Sequence, residues 1–427
     1  MAEEIIVVEG GAPLSGTVFV SGAKNSALKL MAASLLGCGS SRIDNVPLIS
    51  DIDIMAEVLR RLGATVSREG HSLTVDTSSV DSYRTPYELV SKMRASISVL
   101  GALIGRFGNA CVAMPGGCQI GARKIDMHLV GLQALGVEFT MEHGNLHAST
   151  PDGLKGAEVV LDFPSVGATE NLLMAAVVAE GRTVLGNAAR EPEIVDLANM
   201  LNAMGARVSG AGSALIEVEG VPLGSMHPCA HRTVGDRIEA GTFLVGGALT
   251  GGPVTVRGID PAFLRMALVK LESMGCEVQV GEDSVTVRRN RPLVPTDIQT
   301  LPHPGFPTDL QAQFMLLASC AEGMSVITEN VFENRFMFAS ELARMGANIA
   351  IEDHHAIVRG ACALQGADVS STDLRAGAAL VLAGLVADGQ TRVHKVQHID
   401  RGYEDYVGKL GALGARVRRC SVGSSGE

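Results

Sequence analysis

Tryptophan is absent from the 427-residue sequence, and aromatic residues make up only 4% of it. Proteins that bind single-stranded nucleic acid by stacking its bases need more rings than that. Basic residues are also scarce: 35 Lys and Arg face 46 Asp and Glu, for a net charge of -11. This speaks against a phosphate-backbone partner, which clustered cations would have to hold. Small anions remain possible wherever a few basic side chains converge. The eight cysteines (Cys38, Cys111, Cys118, Cys229, Cys276, Cys320, Cys362, Cys420) include no CxxC pair. Neither a zinc site nor a disulfide framework is implied, and free thiols point to a reducing compartment. No apolar run approaches the roughly 20 residues of a membrane helix. The opening MAEEIIVVEGG lacks the apolar core of a signal peptide. The expectation is a cytoplasmic protein with no membrane, nucleic-acid or metal partner and no cofactor.

What is present is a repeat. Six segments, RRLGATV, QALGVEF, NAMGARV, ESMGCEV, ARMGANI and GALGARV, end a helix with Leu or Met and Gly, then begin a strand. The glycines, Gly63, Gly136, Gly205, Gly275, Gly346 and Gly414, recur every 68 to 73 residues. Each supplies the left-handed residue that stops a helix, and in five cases a hairpin follows. The sixth copy stops after one strand, at Val417, with a polar tail from Ser421. Its missing partner is expected to be the first strand of the chain, Ile5 to Val8.

A second helix family alternates with the first. It runs through KNSALKLMAASLLG, RASISVLGALIG, GATENLLMAAVVAEG, DRIEAGTFLVGGALTGG, TDLQAQFMLLASCAEG and DLRAGAALVLAGLVADG. These helices are apolar on nearly every side, so they should be buried. Each opens on a polar group: Lys24, Arg94, Thr169 with Asn171, Arg237, Asp309 and Arg375. A buried helix can hold such a group only at an end that meets solvent or ligand, and helix N-termini bind anions. A chain of this length needs two domains, and six units divide as three and three. One lobe would span residues 23–232 and the other 1–22 with 233–427. The crossings would lie near Gly22–Ala23 and His231–Thr233, with the active site in the cleft between the lobes. The fold class is α/β.

In MPGGCQIGARKIDMH, Gly116, Gly117 and Gly121 make a loop suited to be a lid, with Cys118 at its centre. A thiol near basic groups is a proton donor or a nucleophile. Lys24 and Asn25 open a buried helix, where a cation is unfavourable unless an anion is bound. Around Asp309, Thr308 and Gln311 fit a capping box. Asp51 and Asp53, after Ser50, read as helix caps. Arg401, in HIDRGYEDY, is a phosphate ligand or a surface ion pair with Asp400 or Glu404.

Eight stretches in order between residues 21 and 406 carry a family resemblance: SGAKNSALKLMAASLL, KMRASISVLGALIGRFG, MPGGCQIGARKIDMHLVGLQALG, FPSVGATENLLMAAV, GDRIEAGTF, PGFPTDLQAQF, TENVFENRF and HIDRGYEDY. The chain resembles the UDP-N-acetylglucosamine 1-carboxyvinyltransferases among the enolpyruvyl transferases. The resemblance implies two inside-out α/β barrels of three units each, and transfer of enolpyruvate from phosphoenolpyruvate to a sugar 3-hydroxyl in peptidoglycan synthesis. It assigns Lys24, Asn25, Arg123 and Arg401 to phosphoenolpyruvate. To the nucleotide sugar it assigns Arg94, Arg123, Lys124, Ile125, Asp126, Met127, His128, Phe163, Ser165, Val166, Asp309 and Val331. Cys118 becomes the acid and the target of fosfomycin, Asp309 the group that takes the hydroxyl proton, and Asp51 and Asp53 neighbours of the cleft. Lys124 stands where many relatives have Pro, and Phe163 where some have Lys. The rivals are the sister enzyme acting on shikimate 3-phosphate and a nucleotide-sugar sensor without catalysis.

Overall fold

The computed structural model describes residues 3–85, 88, 95–113 and 125–422. The described residues of Met1–Ser21 and Gly235–Glu427 form one compact unit, and those of Gly22–Gly117 and Arg123–Val234 form another. Each has its own apolar core.

The repeat is one supersecondary motif: a buried helix, a strand, an outer helix, a glycine and a hairpin. In the Gly22–Val234 unit the buried helices are Lys24–Ala33, the pair Ala95–Ser98 and Leu100–Phe107, and Val166–Ala176. The outer helices are Ser50–Arg61, Asp126–Ala134 and Pro192–Ala203. In the other unit the buried helices are Arg237–Thr250, Gln311–Cys320 and Leu374–Val386, all three in mutual contact. The outer helices there are Arg265–Ser273, Ala339–Arg344 and Tyr406–Ala412. Thirteen of the 14 residues of Arg237–Thr250 are buried, so the apolar pattern on every side reflects a helix enclosed by its neighbours. The sheets lie outside them, with strands such as Leu215–Glu219 alternating buried and exposed residues. This is the inside-out α/β barrel arrangement.

All six repeat glycines are left-handed, with φ between 91° and 102°. Five are followed by antiparallel hairpins: Thr65–Glu69 with Ser72–Asp76, Glu138–Glu142 with Asn145–Ser149, Arg207–Ser209 with Leu215–Glu219, Cys276–Val280 with Ser284–Arg289, and Asn348–Glu352 with His355–Arg359. In the sixth, Glu3–Glu9 takes the place of the second hairpin strand. It pairs antiparallel with Arg416–Val422 on one side and Gln390–His394 on the other, with Ile6 opposite both Arg419 and Val393. The last strand reaches Val422 rather than stopping at Val417. Ser421, read from sequence as the start of a polar tail, is therefore in the sheet, opposite Glu4. A strand edge already paired along its length can carry polar side chains on its exposed face.

The same borrowing supplies two edge strands. Ala230–Arg232 pairs parallel with Ser40–Asp44, and Gly16–Phe19 pairs parallel with Val254–Arg257. The chain is thus pinned in a sheet shortly before each place where it passes between the units, at Ser21–Gly22 and Val234–Gly235.

Because Ile6 is fully buried between two neighbouring strands, Ile6→Ala should lower stability to urea by about 2–5 kcal/mol. Glu4→Ala, exposed on the same strand, should change it by about 0.5 kcal/mol or less. Equal effects of the two would mean that this strand is not part of the barrel wall.

Candidate active site

In the Gly22–Val234 unit, Lys24 is the first residue of its helix and is 7% exposed. Its charge is met within the protein. Nζ lies 2.5 Å from Oδ2 of Asp51, which is itself 1% exposed. This corrects two expectations from sequence. Asp51 and Asp53 do not cap their helix, which starts after Ile49 with no side-chain cap. Asp51 instead turns inward to Lys24, while exposed Asp53 lies 3.6 Å from Arg68. Lys24 therefore does not need a bound anion to be tolerated at a helix start. A buried ion pair is enough, and an incoming anion would compete with Asp51 for it.

Two residues on, Ser26 hydrogen-bonds Asp196, whose carboxylate also meets Nε2 of His231 at 2.7 Å and the N–H of Val234 at 3.3 Å. Ala23 N–H donates to the Val234 carbonyl at 2.7 Å. The start of the Lys24 helix is therefore tied to the end of this unit. Asn25 is exposed. Lys29 lies 2.7 Å from fully buried Glu170 and donates to Ser98 at 3.1 Å, joining three buried helices. Burial pushes the Glu170 carboxyl up to about 6, against the pull of Lys29 and with help from Glu193 and Glu191.

The residues expected at the nucleotide end fall into two groups. Asp126, exposed at the head of its helix, accepts the Met127 N–H at 3.0 Å. With Met127, Val130, Gly131, Val159, Val160, Leu161 and Asp162, it lines a hollow of about 110 Å³. Ile125 directly precedes that helix and is half-buried. Phe163 is 36% exposed, and its carbonyl accepts the Ser165 N–H at 2.6 Å in a tight turn. Ser165 then caps the Val166–Ala176 helix by accepting the Ala168 N–H at 3.3 Å. The remaining first-turn N–H groups of a helix have no partner inside it and can face a ligand anion. Arg94, Cys118, Arg123 and Lys124 lie outside the described residues.

In the other unit the centre is Asp309, held by two guanidinium groups. Arg335 Nη2 donates to Oδ1 at 2.6 Å, and Arg375 Nη2 donates to Oδ2 at 3.1 Å. Their side chains are only 6% and 3% exposed, against 25% for Asp309. Burial raises the Asp309 carboxyl, but Arg335, Arg375 and then Arg237 outweigh it and hold the group far below the usual aspartate range. The capping box expected from Thr308 and Gln311 is not formed, and no side chain caps this helix start. Thr308 instead accepts from Arg335 Nη1 at 2.8 Å and donates to Glu329 at 2.8 Å. A guanidinium can only donate and a carboxylate only accept, so the hydroxyl between them has one possible orientation. Glu329 also accepts from Thr300 and from the backbone N–H groups of Val331 and Phe332, at 2.8 to 3.1 Å. It therefore fixes the turn that carries Val331.

Arg375 packs over the Tyr403 ring, 5.4 Å from its centroid. The Tyr403 hydroxyl lies within 3.0 Å of Thr242 and 3.3 Å of Gln313. Arg401 is half-buried, two residues before Tyr403, at the end of the short helix Val396–Arg401. Asp400 pairs with Arg419.

Sequence reasoning did not single out Arg335, Glu329, Lys29, Glu170, Asp196 or His231. Arg335 and Glu329 do sit in the quoted stretch TENVFENRF, but nothing local marks an Arg or a Glu as buried. Among the described residues, no group of three or more His, Cys, Asp or Glu is placed to hold a metal ion. No helix among them is long and apolar enough to cross a membrane.

Comparison with known proteins adds the following. The sequence profile of the EPSP synthase (3-phosphoshikimate 1-carboxyvinyltransferase) family matches residues 8–410. UDP-N-acetylglucosamine 1-carboxyvinyltransferase 1 of Staphylococcus aureus is 51% identical over 417 residues, covering 97% of this chain and 99% of the relative. The corresponding enzyme 2 of Staphylococcus saprophyticus is 52% identical over 419 residues, with the same coverage. Among solved structures, the enolpyruvyl transferase NikO from Streptomyces tendae matches with a TM-score of 0.90 and 30% identity, over 99% of this chain and 100% of that one. EPSP synthase from Acinetobacter baumannii matches at 0.72 with 18% identity, over 98% of this chain and 100% of that one, a likeness of fold.

Asp309→Asn leaves Arg335 and Arg375 buried without their counter-charge, which should cost about 3–5 kcal/mol at neutral pH. The folded-state value of Asp309 is depressed, so its contribution is present above the ordinary aspartate value of 3.8 and is lost as pH falls below it. The stability gap between wild type and variant, read by denaturant titration, should therefore begin to shrink below that pH. A gap that widens on acidification would contradict the pairing.

Proposed function

The chain belongs to the EPSP synthase family of enolpyruvyl transferases, and on that premise we propose that it transfers the enolpyruvyl group of phosphoenolpyruvate to the 3-hydroxyl of UDP-N-acetylglucosamine. Inorganic phosphate is released, and the product feeds peptidoglycan synthesis. The choice of acceptor is supported by relatives 51% and 52% identical over nearly the whole chain that carry that activity in their names. The EPSP synthase structure shares only 18%.

The observation that carries the chemistry is Asp309, kept ionised between two guanidinium groups. So acidic a carboxyl is a poor base toward a free alcohol. It becomes adequate once the attacking oxygen bonds to carbon, because the resulting oxonium is strongly acidic. The proton therefore moves to Asp309 as the C–O bond forms, not before. In the first step C3 of the enol takes a proton and C2, now electron-poor, receives the sugar oxygen. In the second step C3 gives a proton back, the C2–O bond to phosphate breaks, and the double bond returns. Cys118 is assigned as the acid at C3. Lys24, Asn25, Arg123 and Arg401 are assigned to phosphoenolpyruvate, where ammonium and guanidinium groups suit phosphate and carboxylate.

Asp309 and Val331 take the sugar. Arg94, Arg123, Lys124, Ile125, Asp126, Met127, Phe163, Ser165 and Val166 take the nucleotide diphosphate. The hollow beside Asp126 and Met127 and the capped helix start at Ser165 support this division. Asp51 acts as the counter-ion of Lys24 in the empty enzyme. No cofactor takes part, the enzyme works in the cytoplasm, and fosfomycin alkylates Cys118.

Phosphate release from phosphoenolpyruvate should require UDP-N-acetylglucosamine and should not occur with shikimate 3-phosphate. Release with the second acceptor alone, or with neither, would overturn the assignment. Asp309→Asn should lower kcat by about a hundredfold or more. Cys118→Ser should lose both transfer and labelling by the epoxide, whereas Cys118→Asp should keep some turnover and resist labelling.

A further inference from the structure

Asn171 lies in the second turn of the Val166–Ala176 helix and is completely buried. A buried primary amide must place two N–H donors and a carbonyl acceptor. Two backbone groups decide which end is which. The Gly101 N–H donates to Oδ1 at 2.8 Å, and the Ile97 carbonyl accepts from Nδ2 at 2.8 Å. Turning the amide over would set donor against donor and acceptor against acceptor.

Ile97 and Gly101 are four residues apart, the spacing at which a continuous helix bonds carbonyl to N–H. The side chain of Asn171 is inserted at that rung, where Ala95–Ser98 gives way to Leu100–Phe107. An inserted side chain is one of the known causes of a helix break.

With the amide oriented, its second Nδ2 hydrogen faces Nδ1 of His128 at 2.9 Å. Nδ1 must then be the acceptor, and a neutral imidazole carries its proton on Nε2. That nitrogen faces the start of the Asn171 helix. A Cβ placed on Gly167 would lie 3.2 Å from Nε2 and 3.1 Å from Cε1, so the absence of a side chain there allows ring and helix start to approach. We propose that Asn171 is a positioning residue. It locks His128 as the neutral, Nε2-protonated tautomer, so that the ring presents a donor beside the first N–H groups of the Val166–Ala176 helix and helps bind an anionic diphosphate there. The same amide holds the helix break at Val99 and, through His128, the helix that carries Asp126 and Met127. The identity of the anion as a nucleotide diphosphate rests on the function proposed above; the tautomer does not.

The test is ¹⁵N NMR of the histidine-labelled full chain, with the His128 signal assigned by its loss in His128→Gln. In the wild type, His128 should be protonated at Nε2, and its signal should move on titration with inorganic pyrophosphate. In Asn171→Asp, where a carboxylate can only accept, Nδ1 should carry a proton. KM for UDP-N-acetylglucosamine should rise about tenfold while KM for phosphoenolpyruvate stays within about twofold. A wild-type ring protonated at Nδ1, an unchanged tautomer in Asn171→Asp, or no response to pyrophosphate would each overturn the proposal. If Asn171→Asp does not fold, the wild-type spectrum and the pyrophosphate titration decide alone. A chain that releases no phosphate with this acceptor would sink the proposed function and leave the tautomer result standing.

Discussion

Ionised groups inside a closed bundle of helices persist only when an opposite charge or a full set of hydrogen bonds replaces the water they have lost. Both units of this protein are organised around that constraint. Their central helices are apolar on nearly every side, and the charged and amide groups gather in or just before their first two turns. There Lys24 meets Asp51, Lys29 meets Glu170, Asp309 meets Arg335 and Arg375, and Asn171 meets two backbone groups and a histidine. The rest of each unit supplies the partners: Asp51 from an outer helix, Arg335 from the turn after a strand, and His128 from another outer helix.

This arrangement sets the charge of Lys24 in one unit and of Asp309 in the other. Lys24 is already paired with Asp51, so an anion bound there would have to displace Asp51 or share with it. Asp309 is held ionised but weakly basic. That suits the proposed reaction, in which the proton becomes acidic only as the new bond forms, and it avoids a free strong base that would bind a proton from water. The hydroxyl of Thr308, aligned between Arg335 and Glu329, links the guanidinium that holds Asp309 to the turn carrying Val331.

The sixfold repeat explains why such groups lie where they do. Five of the six buried helices follow an edge strand and begin at an equivalent point of the motif, so a residue placed one or two positions into such a helix occupies the equivalent place in its repeat. The repeats also close on themselves. The first strand of the chain completes the last sheet, and the strands Ala230–Arg232 and Gly16–Phe19 complete others. In each of these sheets a strand from a distant part of the sequence does what a neighbouring repeat does elsewhere.

The repeat, the stopping glycines, the buried helices and the closure by Ile5 to Val8 were legible in the sequence because each depends on local pattern: hydrophobic period, a residue that tolerates positive φ, and alternation in strands. The polar openings of the helices were legible for the same reason, and the resemblance of eight ordered stretches named the chemistry. Which group answers which charge was not. Asp51 and Thr308 carry the local marks of helix caps, yet both turn inward, because an unpaired buried Lys24 or Arg335 would cost more than an uncapped helix end. Arg335, Glu329, Asp196 and Asn171 gained their roles only when strands and helices distant in sequence came together. Sequence spacing fixes what a segment prefers to be. Burial and electrostatic pairing depend on neighbours brought in by the fold, and only tertiary structure decides them.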